Sequence, residues 1–272
     1  MTEPIPDVRS HFSLTGLPFT RELDARDRFC LPAFEQPLAH LLRAVEHRMS
    51  AAIIAPSGTG KTVLLRALKD RLPEARYRVH DVKVTSLSKR DMCREIATAV
   101  GLPPVGTYPH LVRKLQELFC AQAHDEGLRP VLLVDEGQDM RPEVLATLRI
   151  LTNFELDSRL VLSVVLAGDT RLGQLLARHE LEPVRRRLAH VATLPLLGRD
   201  ETRCYLDHRL TLAGASSELF ADDAKDAVYE IARGNLRATD HLCLKALELA
   251  AAADRTEITA TLVASARQHL LL

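Results

Sequence analysis

The sequence predicts an α/β fold, a three-layer core built on a mainly parallel sheet and followed by a small all-helical domain. Three observations carry this. Apolar runs alternate with stretches of helical apolar spacing between Phe34 and Ala167, the pattern of successive strand–helix units. The octapeptide Ala55-Pro56-Ser57-Gly58-Thr59-Gly60-Lys61-Thr62 lies between an apolar run and an apolar-periodic stretch, the context of a phosphate-binding loop. After Leu197 strand patterns cease, and 199–213, 222–233, 237–253 and 257–270 read as four helices punctuated by Gly214, Gly234 and Thr256.

The elements follow in order. Residues 1–32 hold four prolines and little periodicity, and read as an arm lying over the core, anchored by Phe12, Leu14, Leu17, Phe19 and Phe29. Leu38, Leu41, Leu42, Val45 and Met49 recur at helical spacing between Phe34 and Met49. Ala51 to Ile54 is the first strand; Leu64, Leu65, Leu68 and Leu72 mark the helix after the loop. Tyr77 to Val84 reads as a strand. Ser88 is placed to cap a helix from about Lys89 to Val100, stopped by Gly101. A proline-bearing loop leads to a helix carrying Leu111, Leu115, Leu118 and Phe119. Val131 to Val134 is an apolar run suited to a central strand buried on both faces. A helix near 142–153 and a strand from Leu160 to Ala167 complete the core. The expected division is an arm at 1–32, a nucleotide-binding core at 33–197 and a helical lid at 198–272.

Composition sets the bounds. At 272 residues, with 46% hydrophobic and 26% charged residues, the chain has ordinary globular composition. No apolar run approaches the ~20 residues that span a bilayer. The start, Met1-Thr2-Glu3-Pro4, lacks a basic region followed by an apolar core, so a cytoplasmic protein without membrane partners is expected. The five cysteines are scattered with no C-x-x-C pair, which points to reduced thiols rather than a zinc site. Net charge is zero, so any nucleic-acid binding must use a local patch.

The chemistry of the loop follows from its residue types. Gly58 and Gly60 let backbone N–H groups crowd around a polyphosphate at a helix N-terminus. Lys61 is placed to reach the β- and γ-phosphates of ATP, and Thr62 offers a hydroxyl to Mg²⁺. The glycine usual at the first position is Ala55 here, the smallest replacement. The run at 131–134 ends in Asp135-Glu136. Asp135 is placed to hold Mg²⁺ beside Thr62, and Glu136 to orient and deprotonate the attacking water. The second carboxylate favours hydrolysis over phosphoryl transfer to a small molecule, and so disfavours a P-loop kinase.

This order of parts resembles the AAA+ ATPases. Within them, His11-Phe12-Ser13-Leu14 with Leu17-Pro18-Phe19, and Arg233-Gly234-Asn235-Leu236-Arg237, are similar to the ExeA-type group that includes the transposition regulators TnsC, TniB and IstB, with MuB a more distant relative. The resemblance implies a nucleotide sensor at Gly168-Asp169-Thr170. A negative charge at Asp169 points to Thr170 as the sensing residue, and Asp169 equally suits a helix cap. It implies an arginine finger in Arg185-Arg186-Arg187, with Arg187 favoured over Arg185, and hence a homo-oligomer, either a ring or a helical filament. The plainer reading of that run is a solvated helix face. It implies that Arg237 contacts the nucleotide, against the plainer reading of a surface arginine at a helix start.

In TnsC-like relatives two loops track duplex DNA. The matching residues are Lys83, Ser86, Lys89, Arg90 and Thr107, all suitable phosphate donors without base readout. The function implied is an ATP-hydrolysing regulator that binds double-stranded DNA independently of sequence and recruits or activates a transposase. The alternative is an ATP-switched assembly factor or secretion-type ExeA-like ATPase that does not bind DNA. The secretion-type proteins carry a membrane span and a wall-binding region, and neither is read in this sequence.

Overall fold

A computed structural model describes residues 7–20, 27–83, 88–154 and 160–270, with Lys83 described by its backbone alone. Ser86 lies outside the described residues. The chain divides into two compact units.

The larger unit spans Leu31–Ser57 and Lys61–Leu194. Its elements are α2 (Pro32–Glu46), β1 (Ser50–Ile54), α3 (Lys61–Asp70), β2 (Tyr77–Lys83), α4 (Lys89–Ala99), α5 (Tyr108–His124), β3 (Arg129–Asp135), α6 (Pro142–Leu151), β4 (Ser163–Gly168), α7 (Thr170–Leu176), α8 (Glu182–Arg185) and β5 (Leu188–Thr193). α1 (Val8–His11) precedes them in the chain and belongs to the other unit. All five strands pair in parallel in the order β2-β3-β4-β1-β5. After β1 the chain crosses to the far edge, returns through β3 and β4, and adds β5 on the other side of β1. The reversal leaves the C-terminal ends of β1, β4 and β3 side by side, where open α/β sheets place their ligands.

The three inner strands are apolar at consecutive positions because helices cover both faces. Ala51, Ala52 and Ile53 on β1, Val131 to Val134 on β3, and Val164 to Ala167 on β4 are all buried. Leu115, Phe119, Leu145 and Leu148 from the helices join this core. Each large aliphatic side chain removed from water there contributes about 1.5–3 kcal/mol.

Local signals end the helices where physical chemistry requires. Pro32 occupies the first turn of α2, where its missing N–H costs nothing. The Ser88 hydroxyl accepts from the Asp91 amide at 3.2 Å, capping α4 as its position predicts. Several features depart from the reading. The strand expected from Leu160 begins at Ser163. α1, α7 and β5 have no counterpart in the reading. β5 is an edge strand of alternating exposure, and its Leu-Ala-His-Val-Ala-Thr run offers too few apolar residues to stand out behind three arginines.

The smaller unit comprises the residues up to Cys30, Gly58–Gly60 and the residues from Pro195. Besides α1 its described residues form α9 (Arg199–Leu212), α10 (Asp222–Ala232), α11 (Leu236–Ala252) and α12 (Ala260–Gln268), the four helices read after Leu197. Leu206, Leu210, Val228, Leu242, Leu247 and Val263 form its core. The arm anchors Leu14 and Phe19 are buried in this core, with Val8. Leu17 is exposed instead. A polar network also holds the arm. Arg209 is 6% exposed and donates to the Thr20 carbonyl at 2.7 Å and to the Tyr205 hydroxyl at 2.9 Å. Tyr205 donates to Asp240 at 2.7 Å. Burial pushes the Asp240 carboxyl up to about 6 against the pull of Arg209.

Candidate functional site

Ala55 continues β1 by donating its amide to the Gly168 carbonyl at 3.2 Å. It is absent from the residues with positive φ, so alanine fits this position without strain. Gly58 does need its residue type. Its φ is +81°, and a Cβ there would fall 2.3 Å from Asn235 Oδ1 and 2.9 Å from Arg237 Cβ. Gly60 also has positive φ. Pro56 and Ser57 are exposed and Thr59 is buried. Lys61 opens α3 and turns its ammonium back over the loop, donating to the Ala55 and Pro56 carbonyls at 3.0 Å each. Only 8% of it is exposed, so its charge sits largely out of solvent against these backbone oxygens.

Thr62 and Asp135 meet directly. The Thr62 hydroxyl donates to Asp135 Oδ2 at 2.8 Å, across 73 residues of sequence. The other carboxylate oxygen accepts the Glu136 amide at 2.9 Å, so both Asp135 oxygens are oriented. Glu136 takes a left-handed backbone conformation, φ 55° and ψ 36°, which costs a non-glycine residue about 1–2 kcal/mol. That conformation turns the chain sharply at the end of β3, and the Glu136 side chain is exposed at the strand tip.

One residue at this tip was not singled out from sequence. Gln138 donates its amide nitrogen to Glu136 Oε2 and accepts the Asp169 amide on its own Oε1 at 3.0 Å. Its only sequence signal is an amide two positions after an acidic pair.

At the β4 tip the Asp169 carboxylate acts as the cap of α7, accepting from the Arg171 amide at 2.8 Å and from Arg171 Nε at 2.9 Å. The Arg171 hydrogen bond holds its carboxyl below the usual range. Thr170, the first residue of α7, is exposed.

Of the three arginines, Arg186 pairs with Glu182 one turn back at 2.6 Å. Arg185 is exposed at the end of α8, and Arg187 is half-buried just before β5. Arg237 lies in the first turn of α11, its amide donating to the Gly58 carbonyl at 3.1 Å and its side chain exposed. Asn235 caps that helix by accepting from the Ala238 amide at 3.1 Å.

Lys83 is the last residue of β2, in register with Asp135. Lys89 and Arg90 are exposed in the first turn of α4, and Thr107 is exposed at the start of α5. Arg90 Nε donates to the Gly106 carbonyl at 3.1 Å, which brings these two segments together. The contact could not be read from sequence, since a backbone carbonyl carries no residue signature.

The comparisons with known proteins agree with this architecture. Residues 43–176 match the AAA domain family. The chain is 29% identical over 239 residues to general secretion pathway protein A of Aeromonas hydrophila; the match covers 87% of this chain and 43% of that protein's length. Among solved structures it is similar to Cdc6p from Pyrobaculum aerophilum, with a TM-score of 0.75 at 19% identity, covering 93% of this chain and 70% of that one. It is also similar to the Aeropyrum pernix ORC1 protein, solved in complex with DNA, with a TM-score of 0.68 at 22% identity, covering 92% and 68%. Among the described residues no helix is long and apolar enough to cross a membrane. The chain has a P-loop AAA+ fold with a helical C-terminal region, and its residues 43–176 are similar to the AAA domain family.

Proposed function

We propose that this chain is an oligomeric ATPase that binds duplex DNA in its ATP-bound state and directs a transposase to target DNA. The observation that carries the ATPase reading is the Thr62–Asp135 hydrogen bond, which joins the phosphate loop to the acidic strand with Glu136 beside it. The donor set suits a hydrated divalent cation, since both groups offer hard oxygen ligands. Mg²⁺ held by Thr62 and Asp135 would neutralise charge on the phosphate oxygens. The loop at 55–60, through the backbone N–H groups of 57–60, and the Lys61 ammonium bind the polyphosphate; Glu136 takes a proton from the attacking water. Thr170 reads the phosphate from the β4 tip, with Asp169 organising its turn, and Arg237 contacts the nucleotide. The division expected from sequence, an arm at 1–32, a core at 33–197 and a lid at 198–272, belongs to this proposal.

Arg187, with Arg185 as the second candidate, supplies positive charge to a neighbouring subunit's site. Arg187→Ala is therefore expected to bind ATP but to lose most hydrolysis. Mixing it with Lys61→Ala subunits should restore part of the activity, because each protein supplies what the other lacks. Co-assembly without any rescue would place this arginine in a role within its own subunit.

Support for the DNA partner comes from Lys89, Arg90 and Thr107 lying exposed on two segments joined by the Arg90–Gly106 bond. The Aeropyrum relative's complex with DNA adds to it. Lys83 and Ser86 are further DNA contacts in this proposal, on the family resemblance alone. The contacts are to phosphates, so the logarithm of affinity should fall by roughly 0.9 per contact for each log unit of salt. Lys89→Ala with Arg90→Ala should weaken binding evenly across sequences and flatten that slope, leaving DNA-independent hydrolysis in place. Gel shift and filament imaging with ATP and Mg²⁺ test this. If no complex forms at low salt, the second reading takes over: an ATP-switched, secretion-type assembly factor, which the similarity to general secretion pathway protein A favours.

A further inference from the structure

We propose that Gln138 is a positioning residue, holding the Glu136 carboxylate with its amide nitrogen while its amide oxygen engages the backbone at Asp169, so that turnover follows the conformation of the β4 tip. The inference rests on the ATPase reading and assigns a residue that reading does not use.

The argument begins with the two partners. A carboxylate oxygen can only accept, and a backbone N–H can only donate. Gln138 meets Glu136 Oε2 through Nε2 and the Asp169 amide through Oε1, so the chemistry of its neighbours fixes which way the amide points. Turning it over would break both bonds. The bridge spans 31 residues of sequence between Gln138 and Asp169, and it links two loops that follow the adjacent strands β3 and β4.

The surroundings are built for it. A Cβ on Gly168 would fall 2.8 Å from Gln138 Oε1 and 2.7 Å from Leu172 Cδ2, so no larger residue leaves room for the amide. Arg171 grips the Asp169 carboxylate and reaches Asp139 at 3.7 Å, a second tie between the same two turns. Glu136 has the opposite character. It is exposed, sits in a left-handed turn, and its carboxylate takes a hydrogen bond from Gln138. An exposed glutamate loses side-chain freedom only where a neighbour holds it, and general-base catalysis is steeply sensitive to such placement. A shift of the Asp169 amide by a fraction of an ångström moves Gln138 and thereby the carboxylate.

Two substitutions test this. Gln138→Met keeps the length and removes both hydrogen bonds. Gln138→Glu keeps the acceptor toward the Asp169 amide and replaces the donor with a carboxylate. Both should bind ATP within about threefold of the wild-type Kd and lose about 10–100-fold in kcat, the scale of a misplaced catalytic group. A double-mutant cycle separates positioning from general damage. Combining Gln138→Met with Glu136→Gln should cost little kcat beyond Glu136→Gln alone, because Gln138 acts through that carboxylate.

Undiminished turnover in both variants overturns the inference and leaves the ATPase reading standing. Full additivity of Gln138→Met with Glu136→Gln, or loss of ATP binding in both single variants, overturns it too, because either result marks a merely structural role. Wild-type protein that shows no turnover with ATP and Mg²⁺ sinks the ATPase reading and this inference together.

Discussion

Lys61→Ala is expected to lower ATP affinity by about 100-fold or more, the largest binding effect of any single change at this site. The reason lies in what the ammonium does without nucleotide. It is nearly buried and already bonded to the Ala55 and Pro56 carbonyls at 3.0 Å. A polyphosphate does not have to order a flexible lysine; it takes over a charge the loop has positioned. Hydrogen bonds to charged groups contribute about 1.5–3 kcal/mol each, so losing two contacts removes about 3–6 kcal/mol. Each 1.4 kcal/mol is a factor of ten in affinity. Titration with a fluorescent ATP analogue measures the loss, and a thermal melt of the ligand-free protein confirms that the variant is folded. Binding within a few-fold of wild type would remove Lys61 from the nucleotide site.

Glu136→Gln is expected to bind ATP with near-normal affinity and to lower kcat by about 10²–10⁴-fold, the range that a positioned general base contributes. Gln has the same shape, so the left-handed turn at 136 and the orientation of Asp135 by the 136 amide both survive. What disappears is the group that accepts a proton. Because Thr62 and Asp135 are untouched, the ATP-bound state should accumulate, and any assembly that depends on ATP should persist rather than cycle. Single-turnover release of phosphate, with sizing of the ATP-bound species, reads both effects. Turnover close to wild type would assign the base to another residue. Asp135→Asn is the useful contrast, since it should weaken the Mg²⁺-dependent part of binding that Glu136→Gln preserves.

Elements governed by local rules were legible in the sequence. The loop at 55–62, the cap at Ser88 and the apolar strand at 131–134 are specified by residues within a few positions of one another. So are the four helices after Leu197. Features that depend on a distant partner were not legible. β5 has only β1 beside it and so lacks the continuous apolar run of a doubly covered strand. The arm residues are apolar, but apolar side chains do not name the surface they bury against, and Leu14 and Phe19 chose the helical unit. Asp169 suited two roles on sequence; the structure places its carboxylate against Arg171, two positions away, as the cap of α7. Gln138 finds its second partner 31 residues on, through a backbone amide that any residue but proline would supply.

The order of the sheet has one more consequence. β4 is interposed between the strand that launches the loop and the strand that carries the acidic pair. It acts as a spacer gauge. Strands in a sheet stand about 4.8 Å apart, so the tips of β1 and β3 are held about 10 Å from each other, and the loop after β1 leads across that gap to Thr62 at the start of α3, which meets Asp135 at 2.8 Å. Every residue of β4 is buried, and a strand covered on both faces cannot slide by one position without turning each side chain to the wrong side. The dimension on which the chemistry depends is thus set by residues that never touch it. Val164, Val165 and Leu166 are tolerances of the machine, and changes there should register as altered turnover before they register as lost fold.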